Sequence, residues 1–250
     1  MSLEKTDAIV IRLVDFSETS CVVTLFSRDY GKIAALAKGA RRPKGPFDSA
    51  LDLLTVCRIV FLHKSSDALD LLTEAKMVRR FRSASRSLPH LYAAYYIAEL
   101  LAALTDDADP HEELFDAALA AITALDELAD VEATVVRFEL VTLRILGHLP
   151  SVDLCTGCGI EIVGEGRVAF GQLTGGVLCG KCRQGQSQVL GVSQEVLQAI
   201  RETAGSDQVT PPLDNRVRGE LRGVMNHYFS HLMGRRPRMQ SFLGATDQTV

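Results

Sequence analysis

Two Cys-x₂-Cys pairs, Cys155-Thr156-Gly157-Cys158 and Cys179-Gly180-Lys181-Cys182, constrain this chain more than any other feature. Twenty residues separate them, the spacing of a two-knuckle zinc site. Each knuckle aims two thiolates at one ion, and Gly157, Gly159 and Gly180 let backbone amides approach the sulfurs. Four thiolates close a tetrahedral shell. The expected cofactor is therefore one structural Zn²⁺ held by Cys155, Cys158, Cys179 and Cys182, with no open position for Lewis-acid chemistry. Two disulfides are the first competing reading, disfavoured in a reducing cytosol; a redox Cys-x-x-Cys is the second, and it should follow a βαβ pattern that is absent. Val168-Ala169-Phe170 and Gly175-Gly176-Val177-Leu178 read as a small hairpin between the knuckles, and residues 151–190 as a zinc-binding module.

Upstream, five segments alternate with period two or are rich in β-branched residues: Ala8–Val14, Ser20–Ser27, Lys32–Lys38, Leu53–His63 and Ala68–Lys76. Ser27-Arg28-Asp29-Tyr30-Gly31 supplies a turn whose glycine takes positive φ, which marks a hairpin. Five short antiparallel strands in residues 1–80 suit a small barrel. An OB-fold leads because it binds oligonucleotides, and an SH3-like barrel fits the pattern nearly as well, since the two differ in topology and not in periodicity. Cys21 and Cys57, alone in strand-like runs, read as small core hydrophobes.

After Met77 the period becomes helical. Leu88–Leu104 carries Tyr92, Tyr95 and Tyr96 at near-helical spacing, read as core. Asp109-Pro110-His111-Glu112 resembles a capping box opening a second helix to about Leu128, and a third, Val131–Leu146, stops at Gly147. Asp106, Asp107 and Asp109 read as a solvated turn. Beyond the cysteines, Ser193 is placed to cap Gln194–Glu202, and Leu213–Met233 is amphipathic. The expected fold class is α+β multidomain: a five-stranded N-terminal barrel (1–80), a helical bundle formed from 81–150 and 191–243, an embedded Cys₄ zinc module and a disordered tail (244–250).

The formal charge of −4 hides an asymmetry. Residues 1–82 hold 14 Lys+Arg against 10 Asp+Glu, residues 83–150 hold 3 against 12, and residues 151–250 hold 10 against 9. A basic N-terminal module precedes an acidic helical one. The basic charge concentrates in Gly31–Phe47, where Lys38, Arg41, Arg42 and Lys44 fall among Gly39, Pro43, Gly45 and Pro46 with no anion between. A polyanion is the natural partner of such a loop, and a solvated basic loop is the competing reading. Lys32, Arg12 and Arg28 join the candidate contacts by position and charge. Arg216, Arg218 and Arg222 on the last helix read as a solvated face, while Arg235, Arg236 and Arg238 beyond it remain open as a second contact.

Several function classes find no support. There is no P-loop, Rossmann fingerprint or His-Glu-x-x-His, and the six histidines are scattered. No apolar run approaches the roughly 20 residues of a membrane span, and the opening residues include Glu4 and Lys5 in place of a signal-peptide apolar region. A cytoplasmic, non-enzymatic binding protein with no membrane and no small-molecule substrate is expected. An RNA-binding zinc-ribbon protein of translation or transcription shares the barrel, the basic loop and the Cys₄ site; a zinc enzyme would need an open metal position.

Ala8–Arg12, Val23–Ser27, Tyr30–Ala34, Ala37–Pro43, Arg137–Leu143, the four cysteines and Ser241–Leu243 together resemble the RecO family of bacterial DNA repair and recombination mediators, a resemblance that spans nearly the whole chain. It implies an N-terminal OB-fold, a helical domain and an embedded zinc module. It further implies binding of single- and double-stranded DNA, annealing of complementary strands, and loading of RecA with RecR onto strands coated by single-stranded DNA-binding protein (SSB), in association with the nucleoid. The match places Lys38, Arg41 and Arg42 in the family's basic loop. Where the family often continues Leu-Gln-Pro-Phe, this chain reads Leu51-Asp52-Leu53-Leu54, which sets an anion close to that loop.

Overall fold

A computed structural model describes residues 2–42, 47, 50–64, 68–163, 166–205 and 213–244. Lys44, Gly45 and Pro46 of the basic loop, and the tail from residue 245, lie outside the described residues.

The first third of the chain forms five strands: β1 (Ser2–Asp15), β2 (Cys21–Ser27), β3 (Gly31–Ala37), β4 (Val56–His63) and β5 (Asp70–Arg79). They close into a barrel in the order β1-β2-β3-β5-β4, the OB-fold arrangement. Neighbours are antiparallel except β3 and β5, which pair in parallel from Ala35 with Asp70 to Ala37 with Leu72. An all-antiparallel barrel was the expectation, and ring closure overrules it. Strand directions cannot alternate around a ring of five, so one pair must run parallel. β1 also begins before Ala8, because Ser2–Thr6 pairs with β4 through a polar stretch that hides the alternation. There the Tyr30 hydroxyl donates to Glu4 at 2.5 Å, and the Thr6 hydroxyl to Asp29 at 2.6 Å.

The barrel core follows from strand parity. Ile33, Ala35 and Ala37 of β3 all point inward with Val23, Leu25, Ile59, Phe61 and Leu72, and Phe47 and Ala50 from the β3–β4 connection join them. Cys21 and Cys57 belong to the same core, and burial pushes the Cys57 thiol up to about 12. Asp52, the anion near the loop, is ion-paired with Arg80.

The chain divides into two compact units, Met1–Val131 with Ser241–Val250 and Glu132–Gln240. In the first, α1 (Leu88–Leu104) and α2 (Glu112–Asp126) accompany the barrel, with Tyr96 fully buried and the Tyr92 ring packed in a tilted arrangement against Phe242 at 5.0 Å. The capping box does not form: α2 starts at Glu112, and His111 at its N-cap makes no side-chain cap bond. The aspartate segment is engaged elsewhere. The Ala108 amide donates to the Lys32 carbonyl at 3.1 Å, and the Asp109 backbone packs directly against Gly31, whose φ is +64°.

The second unit holds most of α3 (Val131–Ile145), then β6 (Val168–Gly171), β7 (Gly176–Leu178), β8 (Val189–Val192), α4 (Gln194–Gly205) and α5 (Asn215–Leu232). β6 and β7 make the expected hairpin, and β8 adds a third strand on the free edge of β6. Gly147 ends α3 in the left-handed region, with the His148 amide bonded to the Leu143 carbonyl at 2.7 Å. The Ser193 hydroxyl, expected to cap α4, donates instead to Glu220 of α5 at 2.8 Å. The arginines of α5 form ion pairs: Arg216 with Glu195 at 3.2 Å, Arg218 with Glu132 at 3.4 Å, and Arg222 with Glu139 at 2.5 Å. Glu139 is fully buried on α3, so its carboxylate requires that partner. No described helix is long and apolar enough to cross a membrane.

Candidate nucleic-acid interface and metal centre

The outward parity of β1, β2 and β3 builds one continuous face. Val14, Val22 and Leu36 form one cross-strand row on it, and Arg12, Thr24 and Ala34 the next. At the open end of this sheet the β1–β2 turn meets the chain leaving β3. The Phe16 and Ser17 amides both bond to the Ser20 carbonyl, at 3.0 and 3.1 Å, which tightens the turn. The Arg41 amide bonds to the Thr19 carbonyl at 3.1 Å and ties the basic loop to that turn. Between them lies a groove of about 400 Å³ lined by Phe16, Ser17, Thr19, Ser20, Leu36, Lys38, Gly39 and Arg42.

The sequence-predicted cations separate into two groups. Lys38 and Arg42 line this groove, Arg41 sits next to Arg42 in the same loop, and all three are exposed, as is Arg12 on the adjoining face. Arg41 is partly engaged, pairing with Asp15 at 3.0 Å and bonding the Ser17 carbonyl at 3.3 Å. Lys38 and Arg42 have no carboxylate partner among the described residues. Lys32 and Arg28 sit at the other end of the β2–β3 hairpin, six strand positions or roughly 20 Å away. The Lys32 ammonium donates to the Thr105 and Ala102 carbonyls at 2.6 and 3.2 Å, neutralising the C-terminal end of α1, and pairs with Asp107 at 3.4 Å. Arg28 bridges Glu112 and Asp116 of α2 at 2.8 and 2.7 Å and lies over the Phe115 ring. Both side chains are thus committed within the first unit. Charge and position alone did not single out Phe16; a ring between Asp15 and a Ser-Glu-Thr-Ser turn was the available signal.

In the second unit the four cysteine sulfurs lie within 4.8 Å of one another. Zn–S bonds of about 2.3 Å in a tetrahedron place sulfurs about 3.8 Å apart. Cys158 and Cys179 stand at 3.8 Å, so the donor set and its spacing fit a zinc ion. The Cys179 amide donates to the Cys155 sulfur at 3.3 Å, and the Cys182 amide to the Cys179 sulfur at 3.4 Å, the outer-shell support a thiolate-bound ion needs. The Cys179 amide, aided by those of Gly157 and Cys158, brings the Cys155 thiol down to about 6. Cys182, hydrogen-bonded to Cys179 and Cys158, is pushed up to about 12. A Cβ at Gly157 would strike Cys182, so the knuckle requires glycine there.

Two family models together cover almost the whole chain: the N-terminal model of recombination protein O matches residues 1–81, and its C-terminal model residues 85–241. A protein of Rhodopirellula baltica named DNA repair protein RecO is 45% identical over 94% of this chain and 97% of its own length. The chain belongs to the RecO family. Members of the same name from Anaeromyxobacter dehalogenans and Myxococcus xanthus are 35% and 32% identical, covering 97% and 95% of this chain and 96% and 95% of their own lengths. The RecO N-terminal model ends just past β5, and the C-terminal one runs from just before α1 to residue 241, beyond α5.

Proposed function

We propose that this RecO-family chain is a DNA repair protein acting without enzymatic turnover, as a recombination mediator. It binds single- and double-stranded DNA through the β1–β2–β3 face, anneals complementary strands, and helps load RecA with RecR onto strands coated by SSB. Residues 1–80 form the nucleic-acid-binding domain, with Lys38 and Arg42 as principal phosphate contacts and Arg41 and Arg12 as supporting ones. Residues 151–190 form the zinc module, whose one ion is structural and holds the segment together; the helices of 81–150 and 191–243 complete the protein.

One observation carries the assignment of the site. Lys38 and Arg42 are exposed, without carboxylate partners among the described residues, at the rim of an OB-fold face. Cations so placed attract a polyanion without reading its sequence, and each phosphate neutralised releases counterion. Two strands held side by side with their charge screened have time to pair. The test is a salt titration of binding to a labelled single-stranded oligonucleotide, with annealing followed in the same samples. Lys38→Ala/Arg42→Ala is expected to weaken binding to every sequence and to flatten the log–log salt slope by about 1.4, two contacts at roughly 0.7 each. Binding and slope equal to wild type would remove the site assignment.

A further inference from the structure

The groove beside Lys38 and Arg42 contains a group that phosphate binding does not use. Phe16 stands at its edge with 64% of its surface exposed. An isolated exposed apolar residue carries no message, but the setting here is built. The ring is mounted on a turn closed by two amides on one carbonyl, and the basic loop is hydrogen-bonded to that same turn. Leu36 supplies an apolar floor, and the Ser17, Thr19 and Ser20 side chains border the same groove. Flat apolar surface and uncommitted cations therefore converge within a space comparable to the smaller ligand clefts, which start at roughly 300 Å³.

We infer that Phe16 is a base-stacking platform, so that the groove takes an unpaired nucleotide with its base on the ring and its phosphates on Lys38 and Arg42. The inference rests on the DNA-binding reading above and adds the feature of the ligand that the site selects. Every base has a π-face, so stacking keeps binding blind to sequence. A duplex hides those faces between neighbouring pairs, so Phe16 contributes only to single strands. Stacking also leaves the hydrogen-bonding edge of the base unused, and a strand held in this way stays competent to pair with its complement.

The chain contains no tryptophan, which makes the test direct. In the full-length protein, Phe16→Trp creates a single reporter in the groove. Its fluorescence is expected to be quenched by oligothymidylate and unchanged by inorganic polyphosphate, which offers the charge without the bases. Phe16→Ala is expected to lower single-strand affinity roughly tenfold, the loss of one stacked base, with the salt slope and duplex affinity unchanged. Phe16→Tyr should retain wild-type binding. Thermal melting of each variant verifies folding, which an exposed position should not disturb. If Lys38→Ala/Arg42→Ala weakens binding while Phe16→Ala does not and the tryptophan stays unquenched, the stacking assignment is overturned and the phosphate site survives. If neither variant changes binding, both readings fall together.

Discussion

The barrel and the cysteine module are both small, mostly antiparallel constructions, and they are built to opposite plans. The barrel closes on an apolar interior to which every strand contributes, from Ala8 and Val10 on β1 to Leu72 and Ala75 on β5. The module buries Val152, Phe170, Val177 and Leu178, yet leaves Leu154, Ile160 and Val163 half or more exposed around its knuckles. A segment with that little interior cannot offset the entropy of ordering its loops by burial alone. Four sulfurs converging within 4.8 Å could hold an ion that would supply what the missing core does not. The lesson is that one chain can hold one β-structure by shape and the next by coordination, so the two should fail under different insults.

The largest expected effect breaks the module alone. Zinc binding is worth roughly 10–16 kcal/mol in comparable peptides, so stripping the metal with a chelator, or Cys158→Ser, should release residues 151–190 into fast amide exchange. Protection in β1–β5 should persist, and a barrel that exchanged equally fast would end the comparison. The next effect reverses the roles. Phe61→Ala empties the centre of the barrel and should cost about 4 kcal/mol in denaturant melts, with full metal content retained.

Gly31→Ala should cost about 3 kcal/mol, because it adds left-handed strain to a collision with the Asp109 backbone. Urea melts of the two proteins measure that difference, and a loss below about 0.5 kcal/mol would mean that the link from α1 to α2 yields easily. The smallest effect concerns pH. Asp126 is nearly buried; burial alone would raise its pKa, but the Arg82 and Ser83 amides at 2.6 and 2.9 Å outweigh it and hold the carboxyl below its ordinary value. Its contribution is therefore complete above the unfolded value near 4 and disappears as pH falls through the lower folded value. Asp126→Asn should cost about 1 kcal/mol at pH 7 and progressively less below pH about 4. A difference that stayed constant through the acid range would contradict that.

The clustering of the four cysteines and most of the barrel were legible in the chain because their signals are local. Two knuckles announce themselves by spacing, and β3 announces itself by Ile33, Ala35 and Ala37 on one parity. The roles of the cations were not legible. Lys32 and Arg28 look as basic as Lys38 and Arg42 in the sequence, but their partners lie 70 to 88 positions downstream, at Ala102, Thr105, Glu112 and Asp116. Only the fold brings those acceptors near. The same limitation hid the start of α2: Asp109 has the residue type of a cap, but the path of the chain against Gly31 decided its use. Glu139 likewise sits in the buried stripe of α3 because Arg222, remote in sequence, reaches it.

The first strand of the barrel sets a schedule for the newborn chain. Ser2 pairs with His63, and the rest of that half of β1 pairs backward along β4, so the strand made first is completed by one made about 60 residues later. At roughly 5–20 residues per second, the ribosome leaves β1 without that neighbour for about 3–12 seconds. Its mixture of charged and hydroxylated residues before Ala8 keeps the waiting edge wettable, and such an edge resists sticking to other chains while it waits.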